Sequence, residues 1–204
     1  LHMKKIILAS GSPRRRELLE KVGLKFEVMP DNTPEKADMS QPPNDVVTEL
    51  AKFKGENIRK NLTADTDALI ISADTVVAIN GVILGKPHSE SDAFEMLSRL
   101  SGNAHNVYTG VYICDVQSGK YKNFYEKTEV FFKTLDTEEI KAYIRTGEPM
   151  DKAGAYGIQG SFAAHIRGID GSYTNVMGLP VGKLYQELKR ICPEKIEDLL
   201  KHTV

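Results

Sequence analysis

The sequence predicts an α/β fold in which a mixed, twisted β-sheet is flanked by helices. Three observations carry that prediction. Short apolar runs at 6–9 and 68–73 have the composition of buried strands. Helix-period segments with recognisable caps separate the extended ones. Hairpin signals, Asn80-Gly81 above all, lie inside the β segments. Hairpins join antiparallel strands, so the sheet is expected to be mixed, not doubly wound and parallel.

In chain order, Ile6-Ile7-Leu8-Ala9 is the first strand. Ser12 stands as an N-cap and Pro13 as the first helical residue; Leu18, Leu19 and Val22 form the apolar face, and Gly23 stops the helix. Residues 25–29 read as a strand and 31–43, polar and proline-bearing, as a loop. Asn44 is positioned to cap a long helix to about Asn61, with Val46, Val47, Leu50 and Phe53 facing inward. The run 68–73 is a buried strand expected to end at Asp74-Thr75. Strands over 76–79 and 82–84 then flank the Asn80-Gly81 turn. Ser89 and Asp92 open a helix bearing Phe94, Met96, Leu97 and Leu100, which Gly102 closes. Two long β segments, 107–116 and 120–135, meet at Gln117-Ser118-Gly119. Asp136 begins a helix to Arg145, stopped by Gly147 and Pro149. Residues 150–160 hold three glycines and little periodicity, hence a loop. Asp170-Gly171 suggests another hairpin, and Pro180 starts a last helix through Leu188 to Ile191.

The chain has 204 residues, enough for one large domain or two small lobes. Net charge is −1, so bulk electrostatics make no case for a nucleic-acid or membrane partner, and any phosphate recognition must be local. Cys114 and Cys192 lack metal-type spacing and point to a reducing compartment. No stretch approaches the roughly 20 apolar residues of a membrane span. Leu1-His2-Met3 reads as an expression scar ahead of a start at Met3, which leaves a single domain over 4–204 in an expected cytoplasmic protein.

Arg14, Arg15 and Arg16 stand at a helix start, where the dipole disfavours cations by roughly 0.3–1 kcal/mol each. A polyphosphate would compensate, since free N–H groups and guanidinium forks both bind it. The plainer alternative pairs Arg16 with Glu20 and leaves the others solvated. Asp74, at a buried strand's end, could hold a divalent ion or accept a proton from water, or simply cap a turn. Glu35 could be a second metal-binding carboxylate or a surface residue. Lys54 and Lys86 could bind phosphate as point charges, Lys86 more suggestively because Gly85-Lys86-Pro87 fixes it beside a rigid hairpin. Gln159 could read a base edge through paired hydrogen bonds while the nearby glycines admit a ligand to the backbone. His105 and His165 read as packed or surface residues of β segments. There is no Gly-x-Ser-x-Gly elbow, Walker A sequence or Rossmann fingerprint.

Taken together, Leu8-Ala9-Ser10-Gly11-Ser12-Pro13-Arg14-Arg15, Ala73-Asp74-Thr75, Gly85-Lys86-Pro87, Leu100-Ser101-Gly102, Glu126-Lys127-Thr128, residues 150–160 and Val176-Met177-Gly178-Leu179-Pro180 resemble the Maf family of nucleoside triphosphate pyrophosphatases. The resemblance runs from Ile6 to about Leu188. It implies two lobes around a nucleotide cleft and hydrolysis between the α and β phosphates with a divalent ion, magnesium or manganese. Asp74 would be the proton acceptor, with Lys54 and Lys86 beside it in catalysis. Ser10, Arg15, Lys54, Lys86 and Lys152 would bind phosphates, Glu35 and Asp74 the metal, and Asp151 would fall nearby. Arg14, Thr75 and Gln159 match the dTTP/UTP pattern, whereas the 7-methyl-GTP type looks like Trp, Gln and Glu there. Phe162 departs from the small residues common after Gln159-Gly160. The resemblance also admits a homodimer. Competing readings are a non-catalytic nucleotide-binding regulator of cell division, a pyrophosphatase of 7-methyl-GTP or another modified nucleotide, and a phosphomonoesterase.

Overall fold

The computed structural model describes residues 4–193. The reading of Leu1-His2-Met3 and the end of the expected 4–204 domain lie outside them. The elements run β1 (Lys5–Leu8), α1 (Pro13–Lys21), β2 (Glu27–Val28), α2 (Pro43–Lys60), β3 (Ala68–Ile79), β4 (Val82–Leu84), α3 (Glu90–Leu100), β5 (Ala104–Asp115), β6 (Tyr121–Phe132), α4 (Thr137–Arg145), β7 (Ile166–Asp170), α5 (Tyr173–Met177) and α6 (Val181–Ile191). Short 3₁₀ turns at Glu148–Asp151, Ala153–Ala155 and Ser161–His165 fill the stretch between α4 and β7.

One mixed sheet holds all seven strands in the order β2-β1-β3-β5-β6-β7, with β4 on β3. β1 runs parallel to β2 and β3, and the other pairs are antiparallel. The period of two along β3 sorts its side chains between the faces. Leu69, Ile71 and Ala73 pack with Leu18 and Leu19 of α1 and with Leu184 and Leu188 of α6. Ile70 packs with Ile58 of α2 on the opposite face, where the Ser72 hydroxyl donates to the Ala51 carbonyl at 2.6 Å. Beyond Asp74, Val77 and Ile79 enter a further cluster with Leu97 and Leu100 of α3, Ile140 and Tyr143 of α4, and Phe162.

Several expectations need correction. The apolar strand does not stop at Asp74-Thr75 but continues to Ile79, because β5 pairs with it from Leu69 to Ala78. Asn44 is not the cap of α2; the helix starts at Pro43 after Pro42, proline being tolerated where the backbone donor has no partner. Phe53 is 37% exposed and lies off the buried face. Asp170-Gly171 forms no hairpin, because Ser172 caps α5 directly by accepting from the Asn175 N–H. Glu17 and Lys21 make the i,i+4 pair on α1, at 2.8 Å, where Arg16–Glu20 had been the alternative. His165 belongs to a 3₁₀ turn, not a β segment. Phe162 is 1% exposed among Phe132, Tyr143 and Tyr156, so it supports the loop above it from the core. Cys114 and Cys192 are both buried. Among the described residues no helix is long and apolar enough to cross a membrane.

Candidate active site

β3 opens the site. Along one edge it pairs with β1 from Ala68 to Ile71 and with β4 from Val77 to Ile79. Residues 72–76 between them have a strand on the β5 side only, and Asp74 is the middle residue of that gap. The gap lies just past the C-terminal ends of the parallel strands, where α/β sheets characteristically hold ligands. A cleft of about 870 Å³ opens here, and Arg14, Arg15, Glu35, Lys54, Asp74, Thr75, Lys86, Asp151, Lys152 and Gln159 all line it.

Helix α2 brings in the central cation. The helix lies so close to the sheet that a side-chain carbon on Gly110 would fall inside the Val47 carbonyl group. One on Gly55 would sit 2.6 Å from the Ser72 hydroxyl. These two glycines let Lys54 reach down to the strand. Its ammonium donates to Asp74 Oδ1 at 2.6 Å and lies 2.9 Å from Glu35 Oε1, so two carboxylates converge on one cation. Asp74 is 9% exposed. Its Oδ2 accepts no hydrogen bond among the described residues and remains available to an incoming donor.

Helix α1 supplies the guanidinium of Arg15 from the other face. It donates through Nε to the Gly178 carbonyl at 2.8 Å, through Nη1 to the Ser10 hydroxyl at 3.2 Å and through Nη2 to the Thr75 hydroxyl at 3.0 Å. Burial lowers its pKa, and the nearby Asp74 charge opposes that; a guanidinium stays charged regardless. Ser12 makes no side-chain cap, so the start of α1 keeps backbone donors facing the cleft. Thr75 spends its hydroxyl on Arg15 and on Thr109 at 2.8 Å. Asn175, which the sequence reading passed over, is completely buried, and its amide donates to the Val107 carbonyl and the Thr128 hydroxyl. That anchors the turn whose Gly178 carbonyl holds Arg15.

The opposite wall is loop. Lys86 stands exposed at the end of β4, tied to this loop by the Gly154 N–H donating to the Gly85 carbonyl at 3.0 Å. Lys152 donates to the Glu148 carbonyl at 2.9 Å and to Asp151 Oδ1 at 2.8 Å. Burial pushes the Asp151 carboxyl up, but the hydrogen bond and charge of Lys152, with Arg14 beside them, outweigh it and hold the pKa below its usual value. Arg14 lies 3.7 Å from Asp151, a salt bridge across the cleft between α1 and the loop. Beneath, the His105 ring and the Tyr156 hydroxyl share a buried hydrogen bond of 2.7 Å. Desolvation lowers the His105 pKa to about 4.

The site thus gathers cations and carboxylates around one opening, an arrangement suited to a polyanion and water. The Maf-like protein family model matches residues 5–191. The chain belongs to the Maf-like family. This Maf-like chain is 50% identical over 202 residues to a protein of Agathobacter rectalis named dTTP/UTP pyrophosphatase, covering 93% of this chain and 98% of that one. It is 49% identical over 188 residues to a protein of the same name from Pelotomaculum thermopropionicum, covering 92% and 97%. A third, from Bacillus cereus, is 48% identical over 189 residues, covering 93% and 91%.

Among the described residues no three His, Cys, Asp or Glu side chains cluster as a ready-made metal cage. The donor set fits a different kind of ion. Glu35 and Asp74 already converge on the Lys54 ammonium, and magnesium-type ions use one or two carboxylates with substrate phosphates and waters completing the shell.

Proposed function

We propose that this Maf-like chain hydrolyses nucleoside triphosphates, dTTP and UTP above others, to the nucleoside monophosphate and pyrophosphate. The observation that carries this reading is the Lys54 ammonium set between Glu35 and Asp74 in a gap of the sheet, facing the Arg15 guanidinium. The names of the relatives support the reaction and the substrates.

In this reading the triphosphate lies along the gap. Ser10, Arg15, Lys54, Lys86 and Lys152 bind and neutralise its oxygens, with the free N–H groups of α1 beside them. Water attacks the α phosphorus, the bond to the bridging oxygen breaks, and pyrophosphate leaves. Asp74 Oδ2 accepts the proton of the attacking water, while Lys54 fixes the carboxylate through Oδ1. Glu35 and Asp74 would hold a magnesium or manganese ion, which when bound offsets negative charge on the phosphates. Arg14, Thr75 and Gln159 choose the base, and the Thr75 hydroxyl also steadies Arg15 for the phosphates. The protein acts on free nucleotides in the cytoplasm.

The test is a product assay on dTTP, UTP, CTP, GTP and 7-methyl-GTP, with and without magnesium or manganese. Metal-dependent pyrophosphate from dTTP and UTP is the expected result. Orthophosphate in its place would make the protein a phosphomonoesterase, and bound but unconsumed nucleotide would make it a sensor.

A further inference from the structure

Gln159 cannot by itself tell uracil from cytosine. Its amide carries a donor and an acceptor and serves either base after a flip: uracil offers an imide N–H beside a carbonyl, cytosine a ring nitrogen beside an amino group. A fixed group that only accepts is needed to separate them. Glu148 lines the same cleft and is such a group.

Two features hold the carboxylate of Glu148 in the loop, and a third leaves it open to a ligand. Tyr143, buried on α4, donates its hydroxyl to Glu148 Oε1 at 3.1 Å and accepts from the Gly157 N–H at 3.2 Å. One phenol therefore fixes the acid and the loop backbone together. The carboxylate also fills space left by two missing side chains. A carbon added to Gly160 would sit 2.6 Å from Glu148 Oε2, and one on Gly157 would sit 3.2 Å from Oε1. Finally, no lysine or arginine pairs with the carboxylate among the described residues. Lys152, four residues on, bonds to the Glu148 backbone carbonyl and to Asp151. A carboxylate with one donor and acceptor capacity to spare, beside Gln159, is poised for an N–H group of a ligand.

We propose that Glu148 is a specificity-determining residue: its carboxylate accepts the imide N–H of uracil or thymine and repels the bare ring nitrogen of cytosine. The proposal rests on the pyrimidine triphosphate reading above. Gln159 then supplies the donor to the neighbouring carbonyl, and the acid fixes which way the amide points.

The experiment measures binding of the non-hydrolysable α,β-imido analogues of UTP and CTP, so that it stands apart from turnover. Wild type is expected to favour the UTP analogue. E148Q, whose amide can flip, is expected to lower that preference on the order of tenfold or more while keeping an unchanged melting temperature. Y143F, which keeps the acid but frees it, is expected to lower the preference by less. An unchanged UTP/CTP ratio in E148Q overturns the assignment, as does wild type binding both analogues equally or neither. Loss in E148Q of discrimination against a 2′,3′-dideoxy analogue, with the base ratio intact, also overturns it by moving Glu148 to the sugar. Absence of pyrophosphate release from UTP, with the binding preference present, would instead remove the hydrolytic reading and leave this one standing.

Discussion

On the wall that carries Asp74, the charged groups project from regular elements: Asp74 from β3, Lys54 from α2 and Arg15 from α1. On the wall that carries Gln159, 3₁₀ turns and irregular chain do the same work, with Gly154 and Ala155 both at positive φ, 69° and 63°. Each wall is made rigid in a different way. The first relies on backbones brought close by Gly55 and Gly110 and on buried hydrogen bonds such as Ser72 to Ala51. The second has little ladder bonding to rely on and is pinned from below by phenols, Tyr156 on His105 and Tyr143 on Glu148 and Gly157. A site that must place charge accurately and also admit different bases can divide those tasks between a sheet and a loop.

The largest effect is expected on the first wall and on chemistry alone. D74N keeps the shape of the side chain and removes the proposed proton acceptor, so pyrophosphate release should fall about a thousandfold with the melting temperature little changed. Turnover near wild type would take Asp74 out of the mechanism. G110A strikes the same wall through its packing. The added methyl collides with the Val47 backbone, which cannot swing aside, and a loss of about 3 kcal/mol in urea unfolding is expected, with activity lost as Lys54 lifts away. Unchanged stability and activity would show that this close approach does not position Lys54.

The second wall should answer to pH. His105 titrates near 6.5 in the unfolded chain and near 4 when folded. Between those values the unfolded state takes up a proton that the folded state refuses, so stability falls as pH drops from about 6.5 to 4, by about 3 kcal/mol at most. Urea midpoints at pH 7 and 4.5 should therefore differ less in H105Q than in wild type; an identical difference would locate the acid sensitivity elsewhere. Smaller still is G154A. Gly154 has positive φ and its added carbon would press on the Val77 side chain at 2.9 Å, so about 2 kcal/mol is expected, read as a lowered melting temperature. A neutral result would mean that the loop can shift, and the contrast between the walls would be weaker than described.

Much of the first wall was legible in the sequence. Apolar runs, the Asn80-Gly81 turn and the caps at Ser89 and Asp136 located most elements, because each depends on neighbours along the chain. Asp74 could be singled out as a carboxylate at the end of an apolar run, whereas Glu35 and Lys54 look like surface residues on pattern alone and were named through the resemblance to the Maf-like family. The reading failed where spatial neighbours decide. Asp74-Thr75 looked like a strand end, as polar pairs often are, yet β5 carries the strand through them. Asp170-Gly171 carried the signature of a turn, but the next residue caps a helix. Gly55 and Gly110 lie among helical and apolar residues with nothing to show that a backbone passes against them. Nothing in the sequence gives Glu148 a task, since only the fold brings Tyr143 and Gly160 to its carboxylate.

The gap in β3 has a consequence for what else can enter. An uncovered strand edge ordinarily invites another extended chain to add to it, and proteins guard such edges against aggregation. Residues 72–76 leave an opening of about 17 Å at about 3.4 Å per residue, closed at one end by β1 and at the other by β4. A polypeptide laid along it would run into those strands after a few hydrogen bonds and would have to bury Asp74 against its own backbone. The opening therefore works as a length filter that admits a compact small molecule and turns away a strand.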